Sequence, residues 1–293
     1  MARSKGRRTG VRAGVRAGKA KHGRADQGTP KAGRAAAPAG EAAARVLVTR
    51  EDGVATLTLN RPEKRNALDA RTLAELREAI AICDLAADVR MVVVRGAGKD
   101  FCAGGDLAEM LASVDAPTEQ NERDALEIGQ LFLALRALPK LSVAVVHGRA
   151  LAGGAGLALA CDLVVARDDA ELGFPEIRRG FVPGMVTALL RRMVGEKVAF
   201  DLAATGRSIG AAEAERLGLV SRVVRARGFE AQVAKLLAVL AALPPSAMAL
   251  LKQEFHRLDG MGFEEGVRLG ARVNAIARTT PDFRRGVSAF LGK

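Results

Sequence analysis

VAVVHGRALAGGAGLALACDLVVARDDAELGFPE, residues 143–176, decides the fold. It opens on a four-residue apolar run, 143–146, bounded by Gly148, which reads as a buried strand. A patch of small residues follows over 150–156, and 157–161 continue it as a helix. Asp162 then leads into a second apolar run, 163–166. Glycines at a helix entrance leave backbone N–H groups unshielded, and the helix dipole adds to their pull on a negative oxygen. Twenty residues beyond Gly156 stands a single carboxylate, Glu176, among Leu172, Gly173, Phe174 and Pro175. Oxyanion donors beside a partly desolvated carboxylate point to proton chemistry next to a carbonyl.

Upstream, 46–49 and 53–59 alternate at period two around Glu51-Asp52-Gly53, an Asp-Gly hairpin signal. Asp69 is placed to cap a helix over 70–85 that shows Leu73, Leu76, Ile80 and Cys83 on one face. A strand over 91–94, a second small-residue bend at 101–106 and a helix through Leu107 and Met110 come next. Residues 113–122 read as a polar loop before a long helix over 124–138. This alternation is that of a parallel sheet with right-handed crossovers. Beyond Pro183 the pattern turns helical, over 186–194, 198–204, 211–217, 229–243, 246–258, 263–277 and 281–290.

Composition bounds the function. The 293 residues, 49% hydrophobic, bury a core of one large or two smaller domains. Without Trp or Tyr there is no aromatic platform for single-stranded nucleic acid. Cys83, Cys102 and Cys161 are odd in number and set in apolar runs, as buried thiols of a reducing compartment are. His22, His147 and His256 do not cluster, so neither a metal site nor a Ser-His-Asp triad is supported. The net charge of +12 sits mostly in residues 1–44, where eleven Lys and Arg face only Asp26 and Glu41. That glycine-rich segment reads as a disordered tail and lacks the apolar stretch of a secretory signal. A misplaced start, a plain extension, a polyanion-binding arm and a transit peptide stay open for it. No uncharged apolar stretch is long enough to span a membrane.

Several motifs, in order, carry a resemblance: LNRPEKRNAL (59–68), FCAGGDL (101–107), AGGAGLALACD (152–162), GFPEI (173–177), TGR (205–207) with 211–220, and 282–291. Together they resemble the crotonase, or enoyl-CoA hydratase/isomerase, superfamily over roughly residues 46–292. The resemblance implies an α/β spiral of β-β-α repeats (a core over 45–230) and a C-terminal helical trimerisation region (231–293). It also implies an acyl-CoA thioester as substrate, no cofactor or metal beyond the coenzyme A of the substrate, a cytoplasmic homotrimer or dimer of trimers, and no membrane association. By matching position, the N–H groups of Gly105 and Gly153 would hold the thioester oxygen. Arg65 and Ala67 would line the CoA, with Ala103, Asp106 and Leu107 completing the substrate site. Asp106 and Asp162 otherwise read as a helix start and a turn residue.

The departures bear on the reaction. Hydratases of the family that work with two carboxylates carry one at each of the positions of Gly156 and Glu176, and here the first is glycine. Glu109 or Asp115 would have to swing in to replace it. A lone Glu176, its pKa raised by burial near Leu172 and Phe174, suits a double-bond shift. Single-Glu hydratase or hydratase-lyase chemistry is the competitor. The extra Asp that related hydrolases and dienoyl-CoA isomerases carry near Gly184 is absent. An ion pair of Glu176 with Arg178 or Arg179, or a place at a helix start, is the structural alternative. Two other classes compete with this reading. A dinucleotide fingerprint at Gly154-Ala155-Gly156 fails because Leu159 stands where Gly or Ala is needed. A non-catalytic protein would bind RNA or another polyanion through the basic tail alone.

Overall fold

The computed structural model describes residues 43–293. The expected basic tail lies outside them apart from its last two positions. Strands β1 (Val46–Glu51) and β2 (Val54–Leu59) pair as the expected hairpin. Its two turn residues, Asp52 and Gly53, both have positive φ (50° and 82°), which the right-handed strand twist demands of a two-residue loop. Helix α1 (Ala70–Leu85) starts where Asp69 accepts the Thr72 N–H, and it buries Leu73, Leu76, Ile80 and Cys83. Strand β3 (Met91–Gly96) and the short helix α2 (Leu107–Ala112) follow.

Helix α3 (Thr118–Ala137) corrects the sequence reading, which placed a loop at 113–122. Its first turns are exposed and polar, and its first buried residue is Gly129, so no apolar stripe marks the start. Strands β4 (Leu141–Val146) and β5 (Arg149–Leu151) lead to helix α4 (Gly153–Ala160). Here too the boundary moves: the small residues read as an entrance are the first turn of the helix itself. Crowding explains them. A Cβ on Gly154 would lie 2.4 Å from the Cys102 carbonyl oxygen.

Strands β6 (Leu163–Arg167) and β7 (Glu171–Gly173) precede helices α5 (Gly184–Met193) and α6 (Glu196–Thr205). Then come β8 (Ser208–Gly210), α7 (Ala211–Arg216), β9 (Arg222–Val224), α8 (Phe229–Ala241), α9 (Pro245–Arg257), α10 (Phe263–Ala277) and α11 (Pro281–Phe290). Helices α5 to α11 start and stop within two residues of the sequence expectation. The three-residue strands β5, β7, β8 and β9 were not anticipated.

The strands form a six-stranded sheet, β1-β2-β3-β4-β6-β9, parallel except for the hairpin, and a small sheet, β5-β7-β8. Alternation splits the large sheet between two cores. Val92, Val94, Ala144 and Val146 face the core with α1 and α4, while Met91, Val93, Val143 and Val145 face Phe229 and Val233 of α8. Each turn of the chain adds one strand to the large sheet, one to the small sheet, then a helix: β4, β5, α4, then β6, β7 and the helices after them. Cys102, bridged to Ala150, plays the small-sheet part after β3. This is the expected β-β-α spiral.

Asp162 does more than turn the chain. Its carboxylate accepts from the backbone N–H and hydroxyl of Ser142 (2.7 and 2.8 Å) and pairs with Lys252 Nζ at 2.8 Å. Lys252 is buried and also donates to the carbonyls of Leu135 and Lys140, which fastens α9 to the ends of α3, β4 and α4. All three cysteines are free and buried; burial pushes the Cys102 thiol up to about 12. Among the described residues, no single helix is long and apolar enough to cross a membrane, and no group of His, Cys, Asp and Glu is assembled to hold a metal.

Candidate active site

The loop after β2 is shaped by one asparagine. Arg65 and Asn66 both have positive φ (51° and 55°), a conformation Asn tolerates better than most residues. The Asn66 side chain is buried and fully used: Nδ2 donates to the carbonyls of Ala97, Asp100 and Phe101, and Oδ1 accepts the Arg61 N–H at 2.9 Å. Sequence reasoning passed over Asn66, because its acceptors lie 31 to 35 residues away and leave no mark in the local motif. Asn66→Asp removes the donors and sets a carboxylate against three carbonyl oxygens. It should cost about 2–3 kcal/mol, read as a lowered midpoint in chemical unfolding. An unchanged midpoint would contradict this network.

The loop then pairs with residues 103–106. Ala103 N–H donates to Arg65 O, Leu68 N–H to Gly104 O, and Asp106 N–H to Leu68 O, at 2.8–3.0 Å. Leu68 therefore takes its two bonds from the residues on either side of Gly105. In a parallel bridge this turns the Gly105 N–H away from Leu68. No other described group accepts it.

The second donor comes from α4. Gly153 is its first residue, so its N–H has no partner inside the helix, and no other described group accepts it. The two glycines are close: a Cβ on Gly153 would lie 3.8 Å from Gly105 N. Just before Gly153, Ala152 holds φ 52° and ψ −129°, a backbone conformation costing roughly 1–3 kcal/mol for a residue with a Cβ. Its N–H donates to Gly173 O at 2.8 Å, and Gly104 (φ 93°) leaves no room beside it, since a Cβ there would sit 2.8 Å from the Ala152 Cβ.

Glu176 enters from a 3-10 turn, Pro175–Arg179, following β7. It is 3% exposed and its Oε2 has no hydrogen-bond partner. Burial raises its pKa, opposed by its own backbone N–H and by the charge of Arg179. The ion-pair alternative does not hold: Arg178 Nε donates to Thr205 O and Arg179 Nη1 to Pro175 O, and neither forms an ion pair with Glu176, although Glu176 does sit in the first turn of the 3-10 helix.

One cavity of about 420 Å³ joins these parts. Its walls include Glu176, Gly105, Gly153, Arg65, Ala67, Ala103, Asp106 and Leu107, the full set singled out in the sequence. Lys64, Arg65 and Arg179 place cations on the same wall. Asp106 is the other carboxylate there, but both its oxygens are engaged. Oδ1 caps α2 through the N–H groups of Ala108 and Glu109, and Oδ2 lies 2.6 Å from Arg61 Nη1. That bond to Arg61 holds the Asp106 pKa below the usual range.

The stand-ins considered for a second acid are elsewhere. Glu109 accepts the Ala70 N–H at 3.0 Å and lines a neighbouring cavity beyond Met110, and Asp115 is not on the Glu176 wall. At Gly156 the space is filled: a Cβ there would lie 2.4 Å from Phe132 Cζ and 2.9 Å from Val186 Cγ2.

This fold agrees with a family comparison. The enoyl-CoA hydratase/isomerase family model matches residues 49–293. The chain belongs to that family. A Thermus thermophilus protein provisionally named an enoyl-CoA hydratase is 45% identical over 251 residues, 84% of this chain and 98% of that protein. The 2,3-dehydroadipyl-CoA hydratase of Escherichia coli is 34% identical over 249 residues, 85% of this chain and 96% of that one. The crystal structure of an enoyl-CoA hydratase from Mycobacterium smegmatis superposes with a TM-score of 0.81 at 36% identity, covering 85% of this chain and 96% of that chain. The fold is therefore the crotonase fold, and the protein is an enzyme of the enoyl-CoA hydratase/isomerase family. Family membership does not favour the non-catalytic, polyanion-binding alternative.

Proposed function

We propose that the enzyme moves a double bond along an enoyl-CoA thioester with Glu176 as its single acid–base group. Glu176 takes a proton from C2 of a 3-enoyl chain. The electron pair moves into the carbonyl, giving a dienolate whose oxygen is held by the Gly105 and Gly153 N–H groups, each worth roughly 3–4 kcal/mol in the transition state. The same carboxyl returns the proton to C4, leaving the 2-enoyl isomer. The observation that carries this reading is the filled space at Gly156, where Phe132 and Val186 stand in place of a second carboxylate. Arg65 and Lys64 suit the CoA phosphates, and Ala67, Ala103 and Leu107 the chain leading inward. No resident cofactor is needed, because the thioester itself acidifies C2.

Hydration, or a hydratase-lyase reaction on the same Glu, is the second reading, favoured by the hydratase names of the relatives. Incubating the protein with 3-enoyl-CoA and with 2-enoyl-CoA, and following the products by chromatography and mass, separates the two readings. An isomer of unchanged mass is expected from the first; a product heavier by one water from the second, and no isomer, would replace our reading.

We further infer a homotrimer or a dimer of trimers. Helices α10 and α11 bury no residue and leave Phe263 and Phe290 about nine-tenths exposed, surface that association would cover. Light scattering should give three or six times the chain mass; a monomer would refute it. Three free, buried cysteines suit the reducing cytoplasm.

A further inference from the structure

We propose that Arg61 is a positioning residue of the thioester site, fixing the Gly105 N–H through Asp106. The proposal rests on the donor role of Gly105 argued above. Arg61 does not line the cavity, so it reaches the reaction only through what it holds.

What it holds is specific. Its Nη1 lies 2.6 Å from Asp106 Oδ2, 3.3 Å from Asp69 Oδ2 and 3.3 Å from Ala67 O. Asp69 caps α1 through the Thr72 N–H and hydroxyl, and Asp106 caps α2. One guanidinium thus joins the caps of two helices across the seam where 65–68 pairs with 103–106. The side chains of Arg61, Asp69 and Asp106 are 11–13% exposed, so water competes weakly for these bonds. Arg45 is the other cation facing Asp69, at 3.5 Å; Arg61 is the cation paired with Asp106.

The link to chemistry is geometric. The segment carrying Gly105 is anchored before it by Gly104 O and after it by the Asp106 N–H, both on Leu68. Those two bonds set which way the Gly105 N–H points, but Leu68 lies in a loop. Arg61 ties that loop to Asp106 a second time, through Ala67 O on one side and the carboxylate on the other. A donor must meet the oxyanion at about 2.7–3.1 Å, and misplacement by about an ångström costs roughly 10²-fold.

The test uses the full-length protein and its Arg61→Met, Arg61→Lys and Asp106→Asn variants. The Asn amide oxygen still caps α2 while the charge facing Arg61 is gone, so this variant reports should Arg61→Met not fold. Two quantities are read: kcat and KM with a turned-over enoyl-CoA, and the infrared carbonyl stretch of bound butyryl-CoA, a saturated thioester that cannot react. Arg61→Met and Asp106→Asn should lower kcat roughly 10- to 100-fold with KM within about threefold, and should lose much of the downward carbonyl shift. Arg61→Lys keeps one ion pair and should fall between. Full carbonyl shift and full kcat per folded molecule in the variants would reduce Arg61 to a stabilising role and overturn the proposal. Absence of the shift in the unaltered protein would instead overturn the donor role of Gly105, and this proposal with it.

Discussion

Glu176→Gln should lower kcat by roughly 10²–10⁴-fold and at the same time make the protein more stable at neutral pH. The first effect follows from removing the cavity carboxylate that, unlike Asp106, is not tied up by donors. The second follows from burial. Because the folded-state pKa of Glu176 lies above that of the unfolded chain, folding takes up a proton between the two values. Below the ordinary Glu value, about 4.3, the group is neutral in both states and carries no penalty. As pH rises through the folded pKa, a charge is forced into a site that gives its Oε2 no donor, and stability is lost. Gln never carries that charge, so the variant should be the more stable at pH 7, and the difference should vanish below about pH 4. Unaltered protein should show kcat/KM rising with pH along one limb as Glu176 ionises. Parallel melts at pH 4 and pH 7, followed by circular dichroism, check stability. An unchanged kcat in the variant would remove Glu176 from the mechanism.

Gly156→Glu should not create a two-carboxylate site; it should damage the fold. The new Cβ alone would stand 2.4 Å from Phe132 Cζ and 2.9 Å from Val186 Cγ2, and helix α4 is buried from Gly154 to Ala160, so it has nowhere to shift. Overpacking costs about 1–3 kcal/mol, and an unpaired buried carboxylate adds to it, so a loss of about 3 kcal/mol or more is expected. Phe132→Ala, itself costly at about 3–5 kcal/mol, removes the nearer obstacle. The two changes share one space and should therefore be non-additive: the double variant should be more stable than the sum of the singles by about 1–3 kcal/mol. It should also add water to 2-enoyl-CoA faster than the parent protein, since its two carboxylates can hold a water between them. Unfolding midpoints of the four proteins, with product masses, decide the matter. A single Gly156→Glu variant with a parental midpoint would mean that Phe132 does not close this position.

Much of this was readable in order along the chain. Period-two alternation with Asp52-Gly53 set the hairpin, Asp69 set the start of α1, and the apolar spacing of the C-terminal third set α5 to α11. These are local signals, carried by residues a few positions apart. The residues that line the cavity were legible for the same reason: small-residue loops and Glu176 lie in short motifs. The start of α3 was not, because its exposed turns need no apolar stripe, nor was the start of α4, whose glycines and alanines answer to neighbours such as Cys102.

What the sequence by itself determined is the order of elements and the identity of the groups that meet in the cavity. Tertiary structure alone decided how they meet. The three-residue strands β5, β7 and β8 exist because they pair with one another, and each is too short to declare itself. Phe132 opposite Gly156, Asn66 beneath Phe101 and Arg61 against Asp106, 45 residues on, are contacts across the fold. Nothing in the local pattern of either partner records them, because close packing and buried charge pairing act through distance in space, not along the chain.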